Sequence, residues 1–268
     1  MPNVITFLSD FGLQDDFVGT CHGVIKKIAP EAEVIDITHG IPPQAVLQGA
    51  LVLCSTIRYM PEGVHLAVVD PGVGGARRPL ALRDESGRFY VGPDNGLLVP
   101  AAESMGGIAA AHELANPDYA LQPVSRTFHG RDLFAPAAAH LTRGVELGEL
   151  GPPLAVDSLA RLDIPEPDLS PERLLATVLY VDRYGNVPLN LTTEQLDEVG
   201  IVPGSKIELE LRGERYFAVA ARTFADARPG DIILYEDAYD NVALAINQGN
   251  AAEMLGSHAG DHVVVRPV

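Results

Sequence analysis

The sequence predicts an α/β amino-terminal domain, with a mostly parallel sheet and helices on both faces, followed by a smaller all-β, barrel-like domain. Two observations support this division. In the first part of the chain, apolar strand-like segments alternate with helix-like segments, a pattern typical of a parallel sheet covered by helices. After a proline-rich stretch, short strand-like segments follow one another with turn residues between them, which is typical of a small barrel or sandwich.

The elements of the first domain follow from hydrophobic periodicity. Residues 17–29 place Val18, Cys21 and Val24 on one face of an amphipathic helix. Pro43 fits the first turn of a second helix, because proline is tolerated there. In order along the chain, we expect strands at 4–9, 33–37 and 65–69 and helices at 17–29, 43–58 and 136–143.

Prolines mark the domain boundary. Five of them fall between residues 151 and 171. Proline fixes its own φ and donates no backbone hydrogen bond, so this stretch is expected to be a stiff, extended connection. We therefore expect an α/β domain at 1–160, a linker at 161–171 and a β-rich domain at 172–268. Its strands are expected at 174–181, 186–191, 206–211, 215–221, 231–235, 241–246 and 262–266.

Composition and charge exclude several classes of protein. The 268 residues carry a formal net charge of −17, and binding to nucleic acid or to an anionic membrane surface would need clustered Lys and Arg. No apolar run approaches the ~20 residues that span a bilayer, and we expect no signal peptide. Cys21 and Cys54 lie in apolar segments and are expected to be buried thiols. The acidic charge is compatible with a cationic small-molecule substrate, but it can equally serve only to keep the protein in solution. We expect a cytoplasmic protein.

Carboxylates stand at the ends of two predicted strands. Asp10 ends the first strand and Asp70 ends the third. In open α/β sheets, ligands bind beyond the carboxyl ends of the strands, so both side chains are expected in one crevice. A carboxylate at Asp10 can accept hydrogen bonds from a ribose diol, and a turn or helix cap is the alternative.

A glycine-rich turn and a polar loop add a guanidinium and an imidazole. Residues 68–78 run from a buried strand into a turn that ends in Arg77 and Arg78. The turn has neither the dinucleotide nor the P-loop spacing, and it can also be a purely structural turn. His129 lies in a polar loop, although a core histidine is possible there. An Asp, an Arg and a His at the rim of one sheet predict a site that activates water.

In the second domain, residues 180–186 leave a strand through a polar turn. Asp182 can offset a cation, Tyr184 can stack on a planar ring, and Asn186 can pair with the edge of a base. A plain hairpin turn is the alternative. None of the histidines shows the spacing of a metal site, so we expect no metal.

Taken together and in order, these motifs resemble the S-adenosyl-L-methionine (SAM) hydrolases, also called SAM hydroxide adenosyltransferases, which are related to the halide-using fluorinase and chlorinase. The resemblance covers nearly the whole chain. Each motif is weak alone, but the set is specific. The motifs lie at 8–12, 36–39, 69–74, 92–96, 125–132, 182–186, 245–247 and 251–252.

The resemblance implies a role for each candidate residue. The catalytic residues would be Asp70, Arg77 and His129, and the substrate-binding residues would be Asp10, Phe128, Asp182, Tyr184 and Asn186. Asp10 would bind the ribose, Asp182 the methionine amino group and Asn186 the adenine, with Tyr184 near the base. Relatives often have a Ser near Ala238, so the contact to the methionine carboxylate is not assigned. The resemblance also implies a homotrimer with sites at subunit interfaces, no cofactor and no metal.

The implied reaction is hydrolysis of SAM to adenosine and L-methionine, by attack of water on the ribose C5′. Arg77 would stabilise the developing charge, while Asp70 and His129 would hold the water and accept its proton. The halogenating relatives carry uncharged residues at these three positions, and a charged Asp70 would repel a halide. A SAM-dependent halogenase, a non-catalytic protein that binds SAM or adenosine, and a metal-dependent hydrolase remain the alternatives.

Overall fold

A computed structural model describes residues 3–170 and 172–268. The chain forms two compact units, the first ending at Asp163 and the second beginning at Ile164. Cys21 is buried, Cys54 is partly buried, and both are free thiols. No helix in the described part of the chain is long and apolar enough to cross a membrane.

The first unit is built on a six-stranded mixed sheet. Its strands are β1 (Val4–Ser9), β2 (Glu33–Thr38), β3 (Val64–Val68), β4 (Pro79–Asp84), β5 (Phe89–Pro93) and β6 (Ile108–Glu113). The order across the sheet is β2-β1-β3-β5-β4-β6. Strands β2, β1, β3 and β5 are parallel, whereas β4 is antiparallel to both β5 and β6. The expected mostly parallel sheet is therefore correct for four strands. The antiparallel pairing of β4, next to the edge strand β6, was not expected.

Helices cover both faces of this sheet, as the alternation of segments predicts. They are α1 (Phe17–Ile28), α2 (Val46–Ile57), α3 (Val99–Ser104) and α4 (Ala135–Thr142), the last preceded by one turn of π-helix at Gly130–Phe134. Successive residues of a strand point to opposite faces. Ile5 and Phe7 of β1 thus pack in the core formed with α1 and α4, whereas Leu8 packs in the core formed with α2 and α3.

Helix α2 was expected to begin at Pro43, but it begins three residues later, at Val46. The reason is a tight turn ahead of the helix. The backbone of Gln44 has a φ of 67°, which is incompatible with a helix. The Ala45 N–H donates to the Pro42 carbonyl, closing the turn before Val46.

The second unit is a curled eight-stranded sheet. Its strands are β7 (Asp168–Ser170), β8 (Arg173–Thr177), β9 (Val187–Pro188), β10 (Lys206–Leu211), β11 (Glu214–Ala220), β12 (Ile232–Glu236), β13 (Val242–Ile246) and β14 (His262–Pro267). Their order is β7-β8-β14-β10-β11-β12-β13-β9. The Leu179 N–H donates to Pro188 and the Asn190 N–H donates to Thr177, so the segment that follows β8 contacts the last strand of this order.

Two features of the second unit differ from the sequence prediction. Residues 168–170, expected to be linker, form β7. The unit also contains two short helices, α5 (Thr193–Glu198) and α6 (Ala251–Leu255), so it is not purely β. Each helix begins at a polar residue whose side chain accepts a backbone N–H of the first turn, Thr192 in one case and Asn250 in the other.

Candidate active site

The first unit brings four of its predicted site residues to one cleft. Asp10 directly follows β1, and Asp70 lies two residues after β3, which is the hydrogen-bonded neighbour of β1. The carboxyl ends of these parallel strands meet at one edge of the sheet. Phe128 and His129, from the loop before the π-helical turn, join them around a cavity of about 300 Å³.

Arg77 connects the two other members of the predicted triad. Its Nε donates to Asp70 Oδ1 at 2.9 Å, and its Nη2 donates to Asp70 Oδ2. The same Nη2 lies 2.7 Å from Nδ1 of His129. The Asp70 and Arg77 side chains are only 6% and 10% exposed, so this paired arrangement is largely shielded from solvent.

The contact with Arg77 fixes the tautomer of His129. A guanidinium has only donors, so Nδ1 must accept, and a neutral His129 then carries its proton on Nε2. Burial lowers the pKa of His129, and the positive charge of Arg77 lowers it further, while Asp70 and Asp132 oppose the shift. Neutral His129 is therefore the form that fits beside Arg77.

The turn that carries Arg77 depends on a glycine. Gly74 has a φ of 72°, and a Cβ added there would lie 2.2 Å from the carbonyl oxygen of Arg126. Any other residue would be strained in this conformation and would also push the turn away from the loop of His129. The adjacent Arg78 points elsewhere, because its Nε donates to Asp94 Oδ2 at 2.8 Å. The structure thus distinguishes two arginines that are equivalent by residue type.

Asp10 has one oxygen committed to the fold. Its Oδ2 accepts the Gln44 N–H at 2.8 Å, which ties the end of β1 to the turn before α2. Burial raises the pKa of Asp10, the hydrogen bond from Gln44 opposes that shift, and the charge of Asp70 adds to it. This oxygen thus bonds to a turn and caps no helix, and Asp10 also lines the cavity.

Three phenylalanines pack together beside the cavity. The ring of Phe128 lies 5.8 Å from that of Phe11 and 5.1 Å from that of Phe17, both edge-on. Sequence reasoning selected only Phe128 and missed Phe11, although Phe11 follows the strand-end carboxylate directly. Phe11 also lines the cavity, so two aromatic faces are available to a ligand there.

In the second unit, Asp182 organises the predicted polar turn. Its Oδ1 accepts the backbone N–H groups of Tyr184 and Asn186 at 2.8 and 2.9 Å, and its Oδ2 accepts from Nδ2 of Asn186 at 2.8 Å. Asp182 and Asn186 thus bond to each other. The Tyr184 side chain is 78% exposed. Tyr184 and Asn186 line an open cleft of about 830 Å³, together with Tyr235 and Phe224.

A second turn in this unit repeats the same pattern. Residues 182–186 and 237–241 both read Asp-x-Tyr-x-Asn. Asp237 Oδ1 accepts the backbone N–H groups of Tyr239 and Asn241 at 2.8 and 3.0 Å, as Asp182 does in its own turn. Burial raises the pKa of Tyr235 to about 12, and the charges of Asp182 and Asp237 contribute. The negative charges of Asp182 and Asp237 therefore both act on the region around Tyr235, which favours the binding of a cation there.

Comparison with known proteins accounts for both units. The model of the SAM hydroxide adenosyltransferase N-terminal domain matches residues 5–151, and that of the C-terminal domain matches residues 176–264. The chain belongs to the SAM hydroxide adenosyltransferase family. The resemblance inferred from the motifs is thereby confirmed.

Individual members of the family and its relatives align over almost the whole chain. An (R)-S-adenosyl-L-methionine hydrolase of Salinispora tropica is 46% identical over 97% of both chains. A fluorinase of Nocardia brasiliensis is 30% identical over 98% of this chain and 96% of its own. The crystal structure of an uncharacterized conserved protein from Thermotoga maritima has a TM-score of 0.91 at 33% identity, covering 98% of this chain and 99% of its own.

The sequence analysis missed one group of potential metal ligands. His22, Asp36 and His39 have their potential ligand atoms within 4.8 Å of one another. They come from α1, from β2 and from the residue after β2, so no short sequence spacing relates all three. The prediction of no metal rested on such spacing and did not consider this group.

Proposed function

We propose that this chain hydrolyses SAM to adenosine and L-methionine by in-line attack of water on the ribose C5′. The observation that carries the proposal is the contact of one buried guanidinium, that of Arg77, with both Asp70 and His129 at the edge of a cavity. The assignment agrees with the hydrolase name of the Salinispora relative.

The reaction places its demands on the nucleophile. As the C5′–S bond breaks, its electron pair neutralises the sulfonium, so the thioether leaves without a general acid. Water forms the new C5′–O bond and loses one proton, and the products are adenosine, methionine and H⁺. The pKa of bulk water is about 15.7, so hydroxide is scarce near neutrality. Catalysis therefore requires a group that accepts this proton and groups that hold the oxygen.

The geometry of the triad supports a division of roles. His129 Nδ1 is occupied by Arg77, so a neutral His129 presents an N–H at Nε2 and acts as a donor to the nucleophilic oxygen. Asp70 retains carboxylate lone pairs and is the acceptor for the proton of water. Arg77 holds both groups in place and offsets negative charge as it develops. This differs from the initial expectation, in which His129 shared the role of base.

Halide transfer is disfavoured by the negative charge of the carboxylates that line the cavity. A halide site requires neutral donors around a small anion, whereas the cavity presents the carboxylates of Asp10 and Asp70. A halogenase and a non-catalytic binding protein are therefore outcomes for the experiment to test rather than competing proposals.

The proposed contacts to substrate extend over the remaining predicted residues. Asp10 would bind the ribose and Phe128 would pack against it. Asp182 would attract the methionine ammonium, with Tyr184 and Asn186 at the adenine. We further propose a cytoplasmic homotrimer with its sites at subunit interfaces and without a resident cofactor or a catalytic metal. Light scattering of the purified chain tests the trimer, and a monomeric mass would contradict it.

Chromatography of the products tests the activity. Purified protein is incubated with SAM, EDTA and chloride, and adenosine and methionine are quantified. Equal amounts of both products in the presence of EDTA would support metal-free hydrolysis. A 5′-chloro product would assign halogenation instead, and bound but unchanged SAM would assign a binding protein.

A further inference from the structure

Three side chains, one from α1 and two from the end of β2, lie close together. His22 Nε2 lies 2.9 Å from Asp36 Oδ1, and His39 Nε2 lies 3.1 Å from the same oxygen. Ligands at 2.0–2.1 Å from a tetrahedral zinc ion are about 3.3 Å apart. These two separations are close to that spacing, and all three potential ligand atoms lie within 4.8 Å of one another.

The strongest indication is an unpaired nitrogen. The His39 side chain is only 3% exposed, and its Nε2 is buried without a hydrogen-bond partner among residues 3–170 and 172–268. Asp36 Oδ1 is near enough for a hydrogen bond but does not lie in its direction. A buried ring nitrogen without a partner costs free energy, whether it carries a proton or a lone pair. A lone pair at Nε2, directed at a cation between the imidazole and the carboxylate, would remove that cost.

The other nitrogen of His39 has the partner that a metal ligand requires. Its Nδ1 is 2.7 Å from the Ser9 hydroxyl oxygen, which also accepts the Phe11 N–H at 3.2 Å. Histidines that bind metals usually donate their second ring N–H to such a group, which fixes the tautomer. With the proton on Nδ1, the Nε2 of His39 is free to coordinate.

We propose that His22, Asp36 and His39 bind a divalent transition-metal ion, with zinc as the expected occupant. Two imidazoles and one carboxylate form a ligand set that zinc accepts, with water completing the tetrahedron. The side chains of His22 and Asp36 are 33% and 41% exposed, which leaves room for that water and for entry of the ion.

The position of the site indicates an effect on the fold around Asp10. The ion would join α1 to the end of β2. The His39 carbonyl accepts the Gly12 N–H at 2.8 Å, and Ser9 contacts His39, so the ion would also stiffen the turn that carries Asp10. The site does not touch the proposed reacting groups, and the inference is independent of the proposed reaction.

Metal titration of the 268-residue chain tests the inference without an activity assay. Protein stripped with a chelator and dialysed is titrated with Zn²⁺ by calorimetry and with Co²⁺ by visible absorption, which reports tetrahedral coordination. His22→Gln and Asp36→Asn change partly exposed ligands and avoid the buried His39. The matched control is His258→Gln, which changes an exposed histidine 3.8 Å from Asp261 in the second unit.

The expected result is one equivalent of Zn²⁺ bound by the wild type and by His258→Gln, with tetrahedral Co²⁺ bands. Each ligand variant should bind at least about tenfold more weakly and lose those bands. Absence of stoichiometric binding by the wild type would overturn the inference. Binding of Zn²⁺ by both ligand variants as strong as that of the wild type would also overturn it, because the ion would then lie elsewhere.

Discussion

Replacing Asp70 by Asn tests the assignment of the general base. The substitution preserves size but removes the charge and the proton acceptor, and it places an NH₂ group against the donors of Arg77. General-base catalysis contributes about 10²–10⁴-fold. At about 1.36 kcal/mol for each factor of ten, kcat should fall by the equivalent of about 2.7–5.4 kcal/mol in the activation barrier. KM should change little, because Asp70 is proposed to contact the attacking water.

Initial rates of adenosine formation at several SAM concentrations provide the measurement. The matched control is Asp94→Asn, since Asp94 also accepts from an arginine, Arg78, and is similarly buried. Asp94 does not line the cavity of Asp70. The control should lose stability but retain kcat once folded. A folded Asp70→Asn with the wild-type kcat, or with its whole loss in KM, would refute the role of Asp70 as base.

Four further predictions follow from particular contacts. Protonated His129 cannot accept a hydrogen bond from Arg77, and the pKa of His129 is lowered from its usual 6.5. As the pH is decreased, kcat/KM should therefore fall only below pH 6.5, and a fall that begins above pH 6.5 would contradict this. Gly74→Ala should reduce kcat while a cooperative thermal transition remains, because a Cβ there meets the Arg126 carbonyl; wild-type kcat would refute the requirement for glycine. Burial lowers the pKa of His65 to about 3, so the free energy of unfolding, measured by urea denaturation, should decrease as the pH falls from 6.5 toward 3. His65→Asn should make the free energy of unfolding depend less on pH in this range, and an unchanged pH dependence would count against the prediction. Asp237→Asn should raise KM for the cationic SAM more than it lowers kcat; an unaffected KM would remove Asp237 from the site.

The sequence predicted segments with a clear apolar pattern, either continuous, as in β1 and β3, or alternating. In the second unit, the segment at 206–211 alternates apolar and polar residues and forms β10 with those bounds. Strands β4–β6 were missed, in part because β4 ends in Arg83 and Asp84 and so lacks a continuous apolar run. The start of α2 was placed wrongly because the positive φ of Gln44 depends on a turn that residue type does not reveal.

The candidate site was predictable where strand ends determine position. Asp10 and Asp70 follow adjacent parallel strands, so one general rule places both. Residue type did not separate Arg77 from Arg78, because the difference lies in tertiary partners: Asp70 and His129 for one, Asp94 for the other.

Two features of the site were missed for different reasons. The repeat of Asp-x-Tyr-x-Asn at Asp237 is visible in the sequence and could have been found by comparing the two turns. The group of His22, Asp36 and His39 was out of reach of a search for short spacings, because the approach of α1 to β2 brings His22 to a carboxylate that is 14 residues away.

Isotope labelling tests the central claim most directly. The chain is incubated with SAM in H₂¹⁸O, and adenosine and methionine are analysed by mass spectrometry. Attack of water on C5′ predicts one ¹⁸O atom in adenosine, at the 5′ oxygen, and none in methionine. Label in methionine, or adenosine formed without label, would contradict attack of water on the ribose carbon.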